Sequence, residues 1–378
     1  MINRRQFLVG SSSIVISSLL ASCQNQSSDL QITFLKDSLP LQLINSLVQH
    51  SQGLGKIKLN TKSDLSELYN LLLTQQGEET EIQKDQLSWQ LPKLSRQSSP
   101  PKIDLITLGN YWLKSAIQEG LIEPLDIAKL NNWSKISLSF QQLVKRNSQG
   151  DLSETGKIWG APYRWGCTMI AYRNDQFKSL GWQPTDWQDL WREDIKHRLS
   201  LLNQPREIIG LTLKKLGYSY NSENLDNIPS LLTELKSLHQ QAKFYDDRNY
   251  LQPLILGDTW LAVGWSTDIL PLMDRYHNIS AIVPRSGTAL WADMWVKPKQ
   301  GENHNLTEKI YPWIDFCWES KSAKQINLFT KAMSTIEVAS NIPENYLPIT
   351  LDTFNKSEFI EHLSEASLQK YQHLWQQL

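Results

Sequence analysis

Short strand-like runs alternating with helical spacing constrain this chain more than any other feature. Residues 30–35 (LQITFL) have strand character, and residues 41–50 carry apolar side chains at helical spacing. Residues 56–60 (KIKLN) return to a strand pattern, and residues 64–73 are helical again. Residues 103–107 (IDLIT) read as a short buried strand, and the helix predicted over 111–119 stops at Gly120. Such alternation builds an α/β unit with a largely parallel sheet, since each apolar strand needs a helix on its face. Residues 74–102, rich in Gln, Glu, Ser, Lys and Pro, interrupt the pattern and read as a solvent-exposed insertion.

After a looser stretch (131–160) the alternation restarts. Strands are predicted at 169–172, 199–202, 260–265 and 279–283, and helices at 186–191, 207–216, 228–241, 306–319, 323–333 and 363–378. Within 228–241, Leu231, Leu232, Leu235 and Leu238 share one side. A second α/β unit therefore follows the first, and a chain of this length suits two lobes better than one core.

The compartment is signalled by the first 23 residues, MINRRQFLVGSSSIVISSLLASC. Arg4 and Arg5 are the only charges there. The apolar run over 7–21 is short and serine-rich for a membrane span, which needs about 20 mostly apolar residues. This is the layout of an export signal over 1–22. Paired arginines before Phe7 and Leu8 fit the twin-arginine type as well as the general secretory type. Leu20-Ala21-Ser22-Cys23 resembles the bacterial lipobox, whose cysteine receives a diacylglycerol and becomes the new first residue. Residues 24–29 (QNQSSD) then form a polar tether. The expectation is a periplasmic protein anchored to a membrane through lipidated Cys23. Removing 1–22 leaves 36 of the 38 basic residues against 39 acids, a net charge of −3 with no basic field for nucleic acid.

Composition narrows the chemistry. Cys167 and Cys317 make no disulfide framework; they are two thiols or one bridge. The seven histidines are scattered, with no HExxH and no Cys/His cluster, so neither a metal site nor a cofactor is expected. Fifteen tryptophans exceed ordinary usage; most belong in cores, and the surplus suits a rigid-walled binding cleft.

Ligands of open α/β sheets bind outside the carboxyl ends of strands. Tyr111 follows the strand at 103–107, Glu207 the strand at 199–202, and Asp268 the strand at 260–265. In GTALWADMWVK (287–297), strand alternation puts Trp291, Asp293, Trp295 and Lys297 on one face. Two indoles beside a carboxylate suit a small organic cation, or a packed aromatic row. Enzyme readings find less support. Carboxylates with tryptophans also describe glycoside hydrolases, but no independent motif sets an acid pair. GWSTD (264–268) misses the last glycine of the serine-nucleophile elbow, and GLGK (53–56) has the wrong spacing for a phosphate loop.

Four ordered segments carry a resemblance: APYRWGCTMIAYRND (161–175), LLNQPREIIGLTLKKLGYSYN (201–221), LAVGWSTD (261–268) and GTALWADMWVKP (287–298). They resemble the periplasmic spermidine/putrescine-binding proteins of bacterial ABC importers, in a pattern that covers most of 30–350. The resemblance implies an α/β, two-lobed periplasmic-binding-protein clamp of type II, with hinge strands between lobes and closure by hinge motion. One lobe would comprise 30–160 plus about 293–340, the other 161–292 plus about 341–378. It further implies a monomer without enzymatic activity that serves ABC permease and ATPase subunits. Carried over, Trp265 and Trp291 become stacking walls, Asp268 and Asp293 ammonium acceptors, Glu207 the holder of another amine, and Tyr111 the side of the first lobe. Two positions depart from the family pattern. The aromatic-acidic stretch after the first strand is replaced by Leu35-Lys36-Asp37-Ser38, which keeps only the acid Asp37. The acid three residues before Glu207 is Gln204. With these two weakened, the same clamp for another cationic or amino-acid-like solute is the alternative.

Overall fold

A computed structural model describes residues 30–50, 56–75, 102–299, 308–336 and 347–378. The export signal, Cys23, the tether and nearly all of the 74–102 insertion lie outside the described residues.

The first unit begins as the alternation predicts. Strand β1 (Leu30–Leu35), helix α1 (Leu41–His50), β2 (Ile57–Lys62), α2 (Leu65–Gln75), β3 (Leu105–Gly109) and α3 (Asn110–Gln118) follow in turn. β1 pairs in parallel with both β2 and β3. β3 lies two residues later than the sequence pattern suggested, so Gly109 ends the strand and α3 starts at once. Short pieces follow: β4 (Ile122–Glu123), α4 (Leu138–Val144), β5 (Lys145–Arg146) and β6 (Lys157–Ile158).

The chain then enters β7 (Ala161–Arg173), a 13-residue strand buried along all but its last residue. Sequence pattern showed only its second half. The second unit contains α5 (Asn174–Leu180), β8 (Leu199–Leu201), α6 (Pro205–Lys215), α7 (Leu231–Gln241), β9 (Ala242–Tyr245), α8 (Gln252–Leu256), β10 (Leu261–Trp265), α9 (Ser266–Arg275) and β11 (Ile279–Ile282). The helix predicted at 186–191 is a 3₁₀ turn over Trp187–Trp191, closed by a reciprocal cap between Asp186 and Asp189. β12 (Ala289–Pro298) returns to the first unit, followed by α10 (Ile310–Cys317), α11 (Ser320–Thr330), β13 (Met333–Ser334), α12 (Leu351–Lys356), β14 (Glu358–Phe359) and α13 (Glu365–Trp375).

The strands line up as β2-β1-β3-β12-β7-β10-β8-β9. β12 and β7 run antiparallel at the middle of this order; β12 pairs with β3 on the first unit's side, and β7 pairs with β10 on the second unit's side. They are the crossing strands of a two-lobed clamp. Two hydrophobic clusters form the core. The larger gathers β1, β3, α1, α2 and α10 and continues across β7 to Tyr250, Ala262 and Ile269 of the second unit, and the smaller gathers β8, α6, α7 and Ile360, Leu363 and Tyr371 of the C-terminal segment. Trp187, Trp295, Trp313 and Trp318 are fully buried, which accounts for part of the tryptophan surplus. Cys167 and Cys317 are both buried free thiols, so the bridge is not formed.

Candidate ligand-binding site

Three helices begin directly at or just after strand ends, and each brings a named residue to the middle of the sheet. Tyr111 is the second residue of α3, Glu207 the third of α6, and Asp268 the third of α9. Pro205 opens α6, where its missing N–H costs nothing, and the two acids sit in first turns that favour negative charge. Asp268 is not a helix cap; Trp265 occupies that position.

β7 supplies the floor between these helices. Arg164, Gly166 and Thr168 alternate onto one face of the strand. Their partners in register are Asp293 and Trp291 on β12 and Trp265 on β10: Asp293 opposite Arg164, Trp291 opposite Gly166, Trp265 opposite Thr168.

At the Thr168 end lies an acid cluster held by neutral donors. The Thr168 hydroxyl donates to Glu207 Oε2 at 2.9 Å, and the Trp265 indole N–H donates to Oε1 at 3.3 Å. The Tyr250 hydroxyl donates to Asp268 Oδ2 at 2.7 Å and accepts from the Trp265 backbone N–H at 3.2 Å. Both carboxylates are thereby tied to Trp265, Glu207 through the indole N–H and Asp268 through Tyr250 to the backbone N–H. Burial pushes the Glu207 carboxyl above its ordinary range, against the hydrogen bonds from Thr168 and Trp265 and the charge of Arg206. Partial desolvation raises Asp268 as well, against the Tyr250 bond, although its side chain reaches solvent. Neither carboxylate forms a salt bridge among the described residues. Tyr250 fits because Gly264 has no side chain; a Cβ there would stand 2.0 Å from the tyrosine ring.

At the Arg164 end the arrangement differs. Arg164 donates from Nε to Asp293 Oδ2 at 2.7 Å, and its Nη2 forms an ion pair with the same oxygen at 2.6 Å. Its guanidinium carbon stands 5.5 Å from the centroid of Trp291, within cation–π range. Burial raises the Asp293 carboxyl, and the guanidinium pulls it back toward the charged form. Burial opposes the Arg164 charge, and Asp293 together with Tyr163 more than offsets it, so the guanidinium sits above its ordinary value. The Trp291 ring lies on Gly166, where an added Cβ would come within 2.3 Å of the indole and 2.5 Å of Ser266 Oγ. The Trp291 indole nitrogen is buried without a hydrogen-bond partner.

Tyr111 stands on the first unit, with no hydrogen bond, ion pair or ring contact to either acid group among the described residues. Its neighbour Asn110 accepts from the Ala292 N–H at 2.9 Å and donates to the Ile360 carbonyl at 2.8 Å, tying α3 to β12 and to the C-terminal segment. The Tyr111 ring packs edge-on against Trp112 at 5.0 Å and lies 5.3 Å from His362. Of the weaker candidates, Gln204 is the half-buried residue preceding α6 and forms no side-chain cap. Asp37 is exposed in the turn after β1, at φ 61°, and no hydrogen bond or ion pair joins it to the others among the described residues. Trp295 leaves the group: it stacks on Tyr163 at 5.0 Å and meets Phe34 and Trp313 edge-on inside the first cluster. Sequence reading singled out neither Arg164, Thr168, Tyr250 nor His362.

Two α/β units joined by crossing strands, with unpaired acids and indoles around the joint, define a solute-binding clamp. The chain belongs to the bacterial extracellular solute-binding protein family, whose model matches residues 100–355. It is 26% identical over 275 residues to the spermidine/putrescine-binding periplasmic protein of Salmonella typhimurium, covering 70% of this chain and 74% of that one. It is 28% identical over 237 residues to the putrescine/cadaverine-binding protein of Pseudomonas aeruginosa, covering 59% of this chain and 63% of that one. Its fold matches the spermidine/putrescine ABC transporter substrate-binding protein of Streptococcus pneumoniae, crystallised with calcium and HEPES, at a TM-score of 0.74 and 21% identity over 93% of this chain and 98% of that one. The family places the chain outside the cytoplasm and is not a class of enzymes. Among the described residues no helix is long and apolar enough to cross a membrane.

Proposed function

We propose that this protein captures a polyamine of the putrescine or spermidine kind and delivers it, chemically unchanged, to an ABC permease. Its lobes would divide as 30–160 with about 293–340, and 161–292 with about 341–378. Lipid on Cys23 would hold it at the membrane surface. The observation that carries the ligand reading is the pair Glu207 and Asp268, two carboxylates tied to Trp265 with neutral donors only. Glu207 is a buried carboxylate without a counter-ion, which is costly, and Asp268 reaches solvent beside it, so a cationic guest entering here meets both charges. An ammonium over an indole adds roughly 0.5–2 kcal/mol, and each carboxylate contact is charge-assisted. Micromolar affinity needs about −8 kcal/mol net, within reach of two such contacts plus burial of the methylene chain. Tyr111 and Trp291 supply apolar walls beside it. Isothermal titration of the soluble chain with putrescine and spermidine tests the reading. Dissociation constants below about a millimolar are expected; failure of both amines to reach that affinity rejects it.

A further inference from the structure

Arg164 holds the contacts that the ligand reading reserves for an ammonium group. It lies against the Trp291 ring and binds the Asp293 carboxylate by an Nε hydrogen bond and an Nη2 ion pair. Its guanidinium is covalently tethered and buried, with a side chain 8% exposed. A free ammonium entering this end meets a carboxylate already neutralised and a fixed positive charge. What this end offers instead is donors: the guanidinium itself and the unpartnered Trp291 indole N–H. The opposite end, two residues or about 7 Å along β7 from Gly166, offers the two acids without counter-ions.

We propose that Arg164 is a built-in cation that sets specificity, so that the site takes an amine with one ammonium end and one hydrogen-bond-accepting end, such as a mono-N-acylated diamine. The ammonium lies between Glu207, Asp268 and Trp265, and the acyl oxygen accepts from the Trp291 and Arg164 side. This assignment rests on the amine reading above and narrows it. Like-charge exclusion and donor–acceptor matching are the two means by which a site separates close analogues.

The test compares putrescine with N-acetylputrescine on the wild-type chain and on Arg164→Met, by titration calorimetry. Wild type is expected to bind N-acetylputrescine at least as tightly as putrescine. Arg164→Met exposes an unpaired Asp293 and is expected to shift the affinity ratio toward putrescine by at least about fivefold, a fraction of what close charge pairs contribute at interfaces. A smaller shift, or a wild-type preference for putrescine, overturns the assignment while leaving the amine reading intact. Absence of binding by both amines to wild type removes the amine reading and the assignment together. Where Arg164→Met is too unstable to titrate, thermal midpoints with each amine at saturation make the same comparison. Putrescine must then raise the midpoint more than N-acetylputrescine does; equal rises overturn the role of Arg164.

Discussion

Two acid clusters sit toward opposite ends of the Arg164–Gly166–Thr168 face of β7, and they differ in what balances their charge. Asp293 is balanced from within, by a guanidinium at 2.6–2.7 Å. Glu207 and Asp268 receive hydrogen bonds from Thr168, Trp265 and Tyr250, none of which carries charge. The first cluster has its carboxylate charge balanced without a ligand. Desolvation raises all three carboxyls, but the Arg164 guanidinium already opposes the rise of Asp293; Glu207 and Asp268 are opposed mainly by neutral hydrogen bonds, and a bound cation relieves their cost. Residue type alone does not make a carboxylate a ligand group; the absence of an internal counter-ion does.

The largest effect should come from breaking the balanced cluster. Arg164→Met strands Asp293 as a buried charge, and loss of one partner of a buried pair costs about 3–5 kcal/mol. Denaturant unfolding of the ligand-free chain measures this. Replacing both partners, Arg164→Met with Asp293→Asn, should recover most of the loss, because no unpaired charge remains. A single substitution that leaves stability within about 0.5 kcal/mol of wild type would show that the pair is solvated and would erase the contrast.

Gly166→Ala comes next. Its Cβ would meet the Trp291 ring at 2.3 Å, and a ring on a β-strand has little room to give. Overpacking of this kind costs about 1–3 kcal/mol. Because Trp291 stands between the two clusters, amine affinity should fall in the same variant. A thermal midpoint and a titration on one preparation separate the two losses. Loss of stability with unchanged affinity would remove Trp291 from the ligand's wall.

In the unbalanced cluster the effects should reverse. Glu207→Gln keeps the shape and both hydrogen-bonded neighbours, so stability should change little or rise, while amine affinity falls roughly tenfold, about 1.4 kcal/mol. The pH dependence carries the same sign. The folded pKa of Glu207 is raised above its ordinary value of 4.5, so in the ligand-free chain its contribution to stability is full below that value. That contribution is lost as pH rises through the raised folded pKa. Ligand binding wants the ionised form, so affinity should rise over the same window and fall as pH drops through it. Titrations from about pH 7 down toward the ordinary carboxylate range should show this fall in wild type and a shallower one in Glu207→Gln. An equal slope in both would assign the titrating group to Asp268 alone.

Sequence pattern exposed the second cluster better than the first, for physical reasons. Glu207 and Asp268 stand where a strand hands over to a helix, and that pattern is local. Trp265 ends the strand before Asp268 and is legible with it. Arg164 lies inside APYRWGCTMIAY, where Gly160 and Pro162 obscure the start of a strand and only its second half reads as β. A usable signal was present: an arginine in the interior of a buried strand requires a carboxylate, and Asp293 is the lone acid of the other crossing strand. Thr168 and Tyr250 gave no such signal, since neutral donors acquire their role only through tertiary contact. Alternation also placed Trp295 beside Trp291 and Asp293. Where β12 passes under α10 the same face is core, and Trp295 packs there against Trp313. The fold class followed from the alternation itself, while the join between units required β7 and β12 to be seen at full length.

Asp37 supplies the smallest expected effect and the sharpest limit on the comparison. Like Asp268 it is exposed, but it sits at positive φ in a turn, bonded to neither cluster. Water already solvates its charge, so a ligand gains little by displacing that water. Asp37→Asn tolerates the same backbone conformation, since asparagine adopts positive φ readily. Stability should stay within about 0.5 kcal/mol and amine affinity within about twofold. Titration of putrescine and N-acetylputrescine into this variant checks both the size of the change and its evenness. A tenfold loss confined to putrescine would mean that Asp37 swings onto a second ammonium when the lobes close, and the balanced end of β7 would then gain an acid that Arg164 does not neutralise.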